Sequence, residues 1–156
     1  MGTELADPFE WNHAGELPFY LLDYPMHRGM MDWVAELNRV YRSVPALHVD
    51  DVRPEGFQWI EAMDAPRSTL CFLRSTEGHP PVVVVCNFTP EVWSDYRVGV
   101  PVGGSWRVLA CSDEERFGGS GAVPDATEAL DEVSQGMSHA LHLSVPPMSV
   151  TFFQPA

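Results

Sequence analysis

The first two dozen residues hold the densest set of groups able to do chemistry: Glu4, Glu10, Glu16 and Asp23, with the indole of Trp11 and the amide of Asn12 among them. A retaining glycoside transfer requires two carboxylates about 5–5.5 Å apart, one as nucleophile and one as acid/base. Trp11 offers a flat ring on which a sugar could stack. The spacing of the four acids fixes no such pair, and acids as a class are exposed, so they read as a solvated face. The six histidines, His13, His27, His48, His79, His139 and His142, join no HExxH and no Cys/His cluster, so no metal ligand set is expected. His139 and His142, three apart, fall on opposite faces of a strand. Cys71, Cys86 and Cys111 are odd in number and lack CxxC spacing. They read as buried reduced thiols and not as nucleophiles or a disulfide framework. Gly118-Gly-Ser-Gly121 has neither the Gly-x-Ser-x-Gly spacing of a nucleophile elbow nor the Lys-Ser/Thr of a phosphate loop. The residues therefore show no self-contained catalytic site and call for no cofactor.

The elements that would position such groups are mostly strands. Residues 80–90, Pro-Pro-Val-Val-Val-Val-Cys-Asn-Phe-Thr-Pro, leave neither strand face polar, which marks a central strand flanked by turn residues. Around it, period-two segments at 57–60, 69–74, 96–100, 105–110, 139–145 and 149–154 bring the count to about seven strands, enough for an antiparallel sandwich or barrel. In the segment 105–110, Trp106, Val108 and Ala110 are expected on one face, with Arg107 and Leu109 on the other. Ahead of the strands, residues 26–42 predict one helix, with Met30, Val34, Leu37 and Tyr41 as its apolar stripe and Pro45 as its stop. Met31, Trp33 and Val40 widen that stripe until cover from more than one side is expected. Residues 113–132 carry seven acids against one arginine and read as a solvated, glycine-loosened excursion within an insertion at 112–137.

Composition bounds the function. At 156 residues, 45% hydrophobic and 20% charged, the chain is long enough to bury a core. A net charge of −13 speaks against nucleic acid or an anionic membrane as partner. The N-terminal stretch lacks a basic region followed by an apolar run, so no secretory signal is legible. The reduced thiols point to the cytoplasm.

Several stretches resemble one known family. Met1-Gly-Thr-Glu4-Leu-Ala6, Glu10-Trp-Asn-His13 and Tyr24-Pro-Met-His-Arg-Gly29 are similar to the last part of the catalytic barrel of bacterial glycogen branching enzymes. Leu37-Asn-Arg-Val-Tyr41 and Pro45-Ala-Leu-His48 resemble that barrel's final helix and its exit. Gly56-Phe-Gln-Trp-Ile60, Val85-Cys-Asn-Phe-Thr-Pro90, Tyr96-Arg-Val-Gly-Val-Pro101, Gly118-Gly-Ser-Gly121 and 143–147 are similar to the family's carboxy-terminal β-domain. The resemblance implies a mainly β chain: an antiparallel sandwich of the α-amylase type at 49–156, preceded at 1–48 by the end of a (β/α)8 barrel. It implies an α-1,4-glucan (glycogen or amylose) as substrate and an exchange of α-1,4 for α-1,6 links by two aspartates and a glutamate. Those three residues belong to segments upstream of the text matching Met1, so no catalytic residue is assigned here and the chain alone is expected to be inactive. Of positions near the glucan cleft, Glu4, Trp11 and Asn12 carry over, while Asp7 replaces the family's usual glutamine.

Two other functions compete with that expectation. One is a non-catalytic glucan-binding module, using Trp11, Trp93 or Trp106; strand alternation reads Trp106 as core and Trp93 as rim. The other is an interaction domain that docks on a separate catalytic barrel. Trp33, Leu37 and Tyr41 are expected at the contact between helix and sandwich.

Overall fold

The computed structural model describes residues 2–10 and 12–156. Two 3-10 turns, Thr3–Leu5 and Phe19–Asp23, lie against helix α1 (Pro25–Ser43), and a short helix α2 (Pro45–His48) follows it. Pro25 occupies the first turn of α1, where a missing N–H costs nothing. Val44 is extended, as the residue before a proline must be, and this ends α1.

Strands β1 (Phe57–Asp64), β2 (Thr69–Arg74), β3 (Val82–Asn87), β4 (Trp93–Val100), β5 (Gly104–Cys111), β6 (Thr127–Ala129), β7 (His139–Val145) and β8 (Ser149–Pro155) make up the rest. They form a six-stranded sheet in the order β1-β2-β3-β8-β5-β6 and a two-stranded sheet β4-β7, with every pairing antiparallel. The architecture is thus mainly β and antiparallel, with a helix in front. All seven expected strands are present. The eighth, β6, lies inside the acidic insertion and pairs with β5 through Gly104–Trp106.

All six residues of β3 are buried, because two cores meet at this strand. Val83 and Val85 face the two-stranded sheet with Cys71, Leu73, Trp106, Leu141, Leu143 and Phe153. Val82, Val84 and Cys86 face the other way, against Val40, Val44, Ala46 and Leu47 of the helices. Strand alternation alone sends β3's side chains to both layers. In β5 it does not hold throughout. A register shift between Val108 and Ala110 adds a residue to the strand, so Trp106 and Val108 point to the inner core while Ala110 joins the helix-side core.

The helix meets the sheet along a line rotated from the expected stripe. Val40 is the deep residue, flanked by half-buried Trp33 and Leu37, whereas Met30 and Tyr41 are 38% and 44% exposed. Gly29 explains the rotation. A methyl there would stand 2.5 Å from the Phe117 carbonyl oxygen, so only glycine lets α1 approach the 3-10 turn Glu115–Phe117 so closely. One turn on, the Trp33 ring meets Phe117 edge-on at 5.1 Å and Phe152 at 6.5 Å. Trp33 and Leu37 are therefore at the contact, and Tyr41 is at its rim, its hydroxyl donating to Asp51 at 3.0 Å.

The insertion is folded where glycine-loosened excursion was expected. The Asp113 carboxylate accepts the Ser120 N–H at 2.9 Å, the Ser120 hydroxyl at 2.6 Å and the Ala122 N–H at 3.1 Å. Its carbonyl accepts the Gly121 N–H at 2.8 Å. One buried side chain thus closes the whole Gly-Gly-Ser-Gly loop.

Candidate functional site

Of the three residues carried over from sequence, Trp11 lies outside the described residues. Glu4 is half-buried in the turn Thr3–Leu5, next to fully buried Leu5, whose carbonyl lies 2.7 Å from His27 Nδ1. Asn12 is exposed, and its Oδ1 accepts the Ala14 N–H at 3.0 Å. A shallow depression of about 190 Å³ brings Asn12 together with Glu10 and Glu16. Glu4 does not line it.

The thiols behave as buried small hydrophobes. Cys71, Cys86 and Cys111 are free and buried. Burial pushes Cys71 up to about 12 and Cys86 to about 11, and raises Cys111 as well, the opposite of an activated nucleophile. Among the described residues no group of three His, Cys, Asp or Glu side chains is placed to hold a metal ion.

A cleft with a volume of about 570 Å³ lies at one open end of the sandwich. Its walls come from the β1–β2 hairpin (Glu61, Asp64, Arg67), the start of β4 (Trp93 to Arg97) and the turn at Ser134 and Gln135. Tyr96 sits at the base, buried, its hydroxyl 2.7 Å from Thr69 Oγ1 and donating to Asp64 at 3.2 Å. Burial pushes the Asp64 carboxyl up, but the hydrogen bonds from Arg67 and Thr69 outweigh it and hold Asp64 below its ordinary value. The Arg67 guanidinium also lies 5.9 Å from the Tyr96 ring centre. Trp93 Nε1 is a buried donor with no acceptor among the described residues, a state that costs about 1–3 kcal/mol. Between Trp93 and Tyr96 the β4–β7 register slips, and Asp95 takes φ 54°, a left-handed conformation that aspartate tolerates better than most residues.

A histidine clamps this wall. His142 Nδ1 is 2.5 Å from Asp95 Oδ1 and its Nε2 is 3.1 Å from Glu132 Oε2. Arg97, the cross-strand partner of His142, donates to Glu132 at 2.5 Å. A carboxylate at each ring nitrogen demands two N–H donors, hence the imidazolium. The bonds to Asp95 and then Glu132 raise His142 above its ordinary 6.5. His142 was foreseen only as lying on the strand face opposite His139, because its partners come from β4 and the insertion. Cross-strand pairing with Arg97 is the signal that could have found it, once the register was known.

A second exposed feature is apolar. Phe9, Phe19, Tyr20, Tyr24 and Met26 are each between 58% and 72% exposed. Toward the other end of α1 an apolar groove of about 340 Å³ runs between the helix and the sheet, lined by Leu37, Tyr41, Leu47, Phe72 and Phe152. No helix of the described residues is long and apolar enough to cross a membrane.

Comparison with known proteins adds the ancestry. Residues 59–156 match the family model described as "Alpha amylase, C-terminal all-beta domain". The chain is 48% identical to the 1,4-alpha-glucan branching enzyme GlgB of Cereibacter sphaeroides, a match covering 100% of this chain and 22% of that protein. It is 45% identical to the Pseudomonas putida enzyme of the same name, over 100% of this chain and 21% of the relative. For the Deinococcus radiodurans enzyme the identity is 42%, over 99% and 22% respectively. The chain spans about a fifth of the length of these curated relatives, at their carboxy-terminal end.

Proposed function

Because the chain belongs to the family of alpha amylase C-terminal all-beta domains, we propose that it works as the carboxy-terminal part of a 1,4-α-glucan branching enzyme, supporting a catalytic barrel and supplying no catalytic carboxylate. One observation carries this reading: 42–48% identity to branching enzymes runs along essentially the whole chain, ahead of the β-domain as well as through it. Residues 1–48 are then the end of the barrel and 49–156 the all-β domain. Glycogen or amylose is the substrate of the assembled enzyme, which cuts α-1,4 links and forms α-1,6 links. Glu4 and Asn12, together with Trp11, approach the glucan from the barrel rim. The aromatic residues exposed ahead of and on α1 support this reading, since such a surface fits burial against the barrel. The reduced, buried thiols support a cytoplasmic setting.

The test joins the chain to the upstream four-fifths of the Cereibacter sphaeroides enzyme, replacing that enzyme's own end. New α-1,6 branch points on amylose are expected from the chimera and none from the chain alone. Branching by the isolated chain would overturn the proposal, as would a folded chimera that forms no branches. The same apolar surface also favours a second reading, docking on a separately made barrel. Branching restored by mixing the two purified pieces would select that arrangement over a single continuous chain.

A further inference from the structure

Where the end of α1 meets β5 and β8 lies a depression of about 320 Å³, within the range of small-ligand pockets. Arg39 on α1, Arg107 on β5 and Gln154 on β8 form its polar wall, with Val40, Val44 and Leu109 as its apolar side. Among the described residues no aspartate or glutamate lines it, although the chain carries 22 acids against 9 basic residues, all of them arginine. Six of those arginines pair with carboxylates, whereas Arg107 pairs with none among the described residues. A neutral group anchors it instead. Gln154, its cross-strand partner, is buried and accepts the Arg107 Nη2–H at 3.3 Å, while its own Nε2 donates to the Pro80 carbonyl at 3.4 Å. One nitrogen of the Arg107 fork is thus fixed, and Nε and Nη1 keep donors that no described residue accepts. Arg39 is committed to Glu36 through Nε at 3.0 Å and Nη2 at 2.6 Å, which leaves its Nη1. The carbonyls at the end of α1 do little to repel an anion here, since those of Asn38 and Val40 are taken by Arg42 Nε and the Val44 N–H.

We propose that this depression binds a small phosphate monoester, its oxygens held by the unengaged N–H groups of Arg107 and Arg39 and its organic part lying against Val40, Val44 and Leu109. Planar guanidinium forks match the several acceptor oxygens and the charge of a phosphate group. Inorganic phosphate presents the same head without the body and is the minimal ligand. The site stands on charge and geometry and does not depend on the glucan chemistry proposed above. Its occupant touches α1 and β5 at once, so binding fastens the helix to the sheet and stabilises the fold by linkage. The depression thus ties the hold of the helix on the β-sandwich to the supply of a phosphorylated metabolite.

The experiment is an NMR titration of the 156-residue chain with inorganic phosphate and with glucose 6-phosphate, against sodium chloride at matched ionic strength and against glucose. Saturable shifts are expected for the Arg107 and Arg39 Nε–H signals with both phosphates, at lower concentration for glucose 6-phosphate, and with neither control. Both phosphates should also raise the melting temperature. Arg107 is exposed, so Arg107→Gln should fold and should lose both responses. Arg107→Lys keeps the charge without the fork and should bind about tenfold more weakly. Equal affinity for the two phosphates would name inorganic phosphate as the occupant and keep the site. Shifts that never saturate, an equal response to chloride, or binding retained in Arg107→Gln would overturn it. Tighter binding of hexaglutamate than of either phosphate would replace the small ligand with an acidic peptide and overturn it as well.

Discussion

Gly29 has the smallest side chain in α1 and one of the largest effects. Gly29→Ala puts a methyl into the Phe117 carbonyl, and the helix can only retreat, loosening Trp33 from Phe117 and Phe152. The expected cost is about 1–3 kcal/mol despite the better helix propensity of alanine, read as a lower melting temperature; an unchanged or higher one would show that α1 is not pinned there. Trp106, fully buried with its N–H donating to the Val102 carbonyl at 3.2 Å, should lose about 3–5 kcal/mol as Trp106→Ala, measured by denaturant unfolding. His142 makes a pH-dependent claim. Its folded pKa is raised, so the clamp contributes fully below about 6.5, and its contribution disappears as pH rises through the higher folded value. Glu132 is lowered, first by His142 and then by Arg97, so its part is lost on the acid side instead. The melting difference between the parent and His142→Gln should therefore shrink steadily from neutral to alkaline pH; a constant difference would remove the imidazolium from the account. Trp106 was legible in sequence from strand alternation, and the three thiols from their number and spacing. The clamp was not, because Asp95 and His142 stand 47 positions apart and meet only through strand register.

Between elements, sequence pattern gave the strands and left their irregularities hidden. The run of valines in β3 announces a strand buried on both sides, and both sides are indeed covered. The bulge in β5 is invisible to a period-two count, so Ala110 was expected with Trp106 and is found under the helices. The helix stripe was misplaced by about one residue because bulk was weighed and the vacancy at Gly29 was not. Composition misjudged the insertion too: seven acids between 113 and 132 suggest solvation, yet one of them, Asp113, is buried and organises the loop. Asp113→Ala removes the acceptor of three hydrogen bonds. Limited proteolysis should then cut within 118–121 in the variant and spare the parent, and equal resistance would show that the loop holds itself. The cleft walls come from β1–β2, β4 and the insertion, so no single motif could have shown it.

The six-stranded sheet is shared property: sandwich on one side, helices on the other. Deleting residues 1–48 would uncover Val82, Val84, Cys86 and Ala110 together, an apolar area of the kind that drives association. The shortened chain is expected to aggregate, as judged by light scattering, and a soluble monomer melting at the parental temperature would deny the helices any structural share. The line between "barrel" and "β-domain" expected from sequence at residue 48 is thus not a line of cohesion. A midriff strand with no outside welds the segments before and after residue 48 together. Any exchange of this end between related enzymes should therefore be spliced ahead of the turn Thr3–Leu5, so that α1 keeps both of the turns that lie against it.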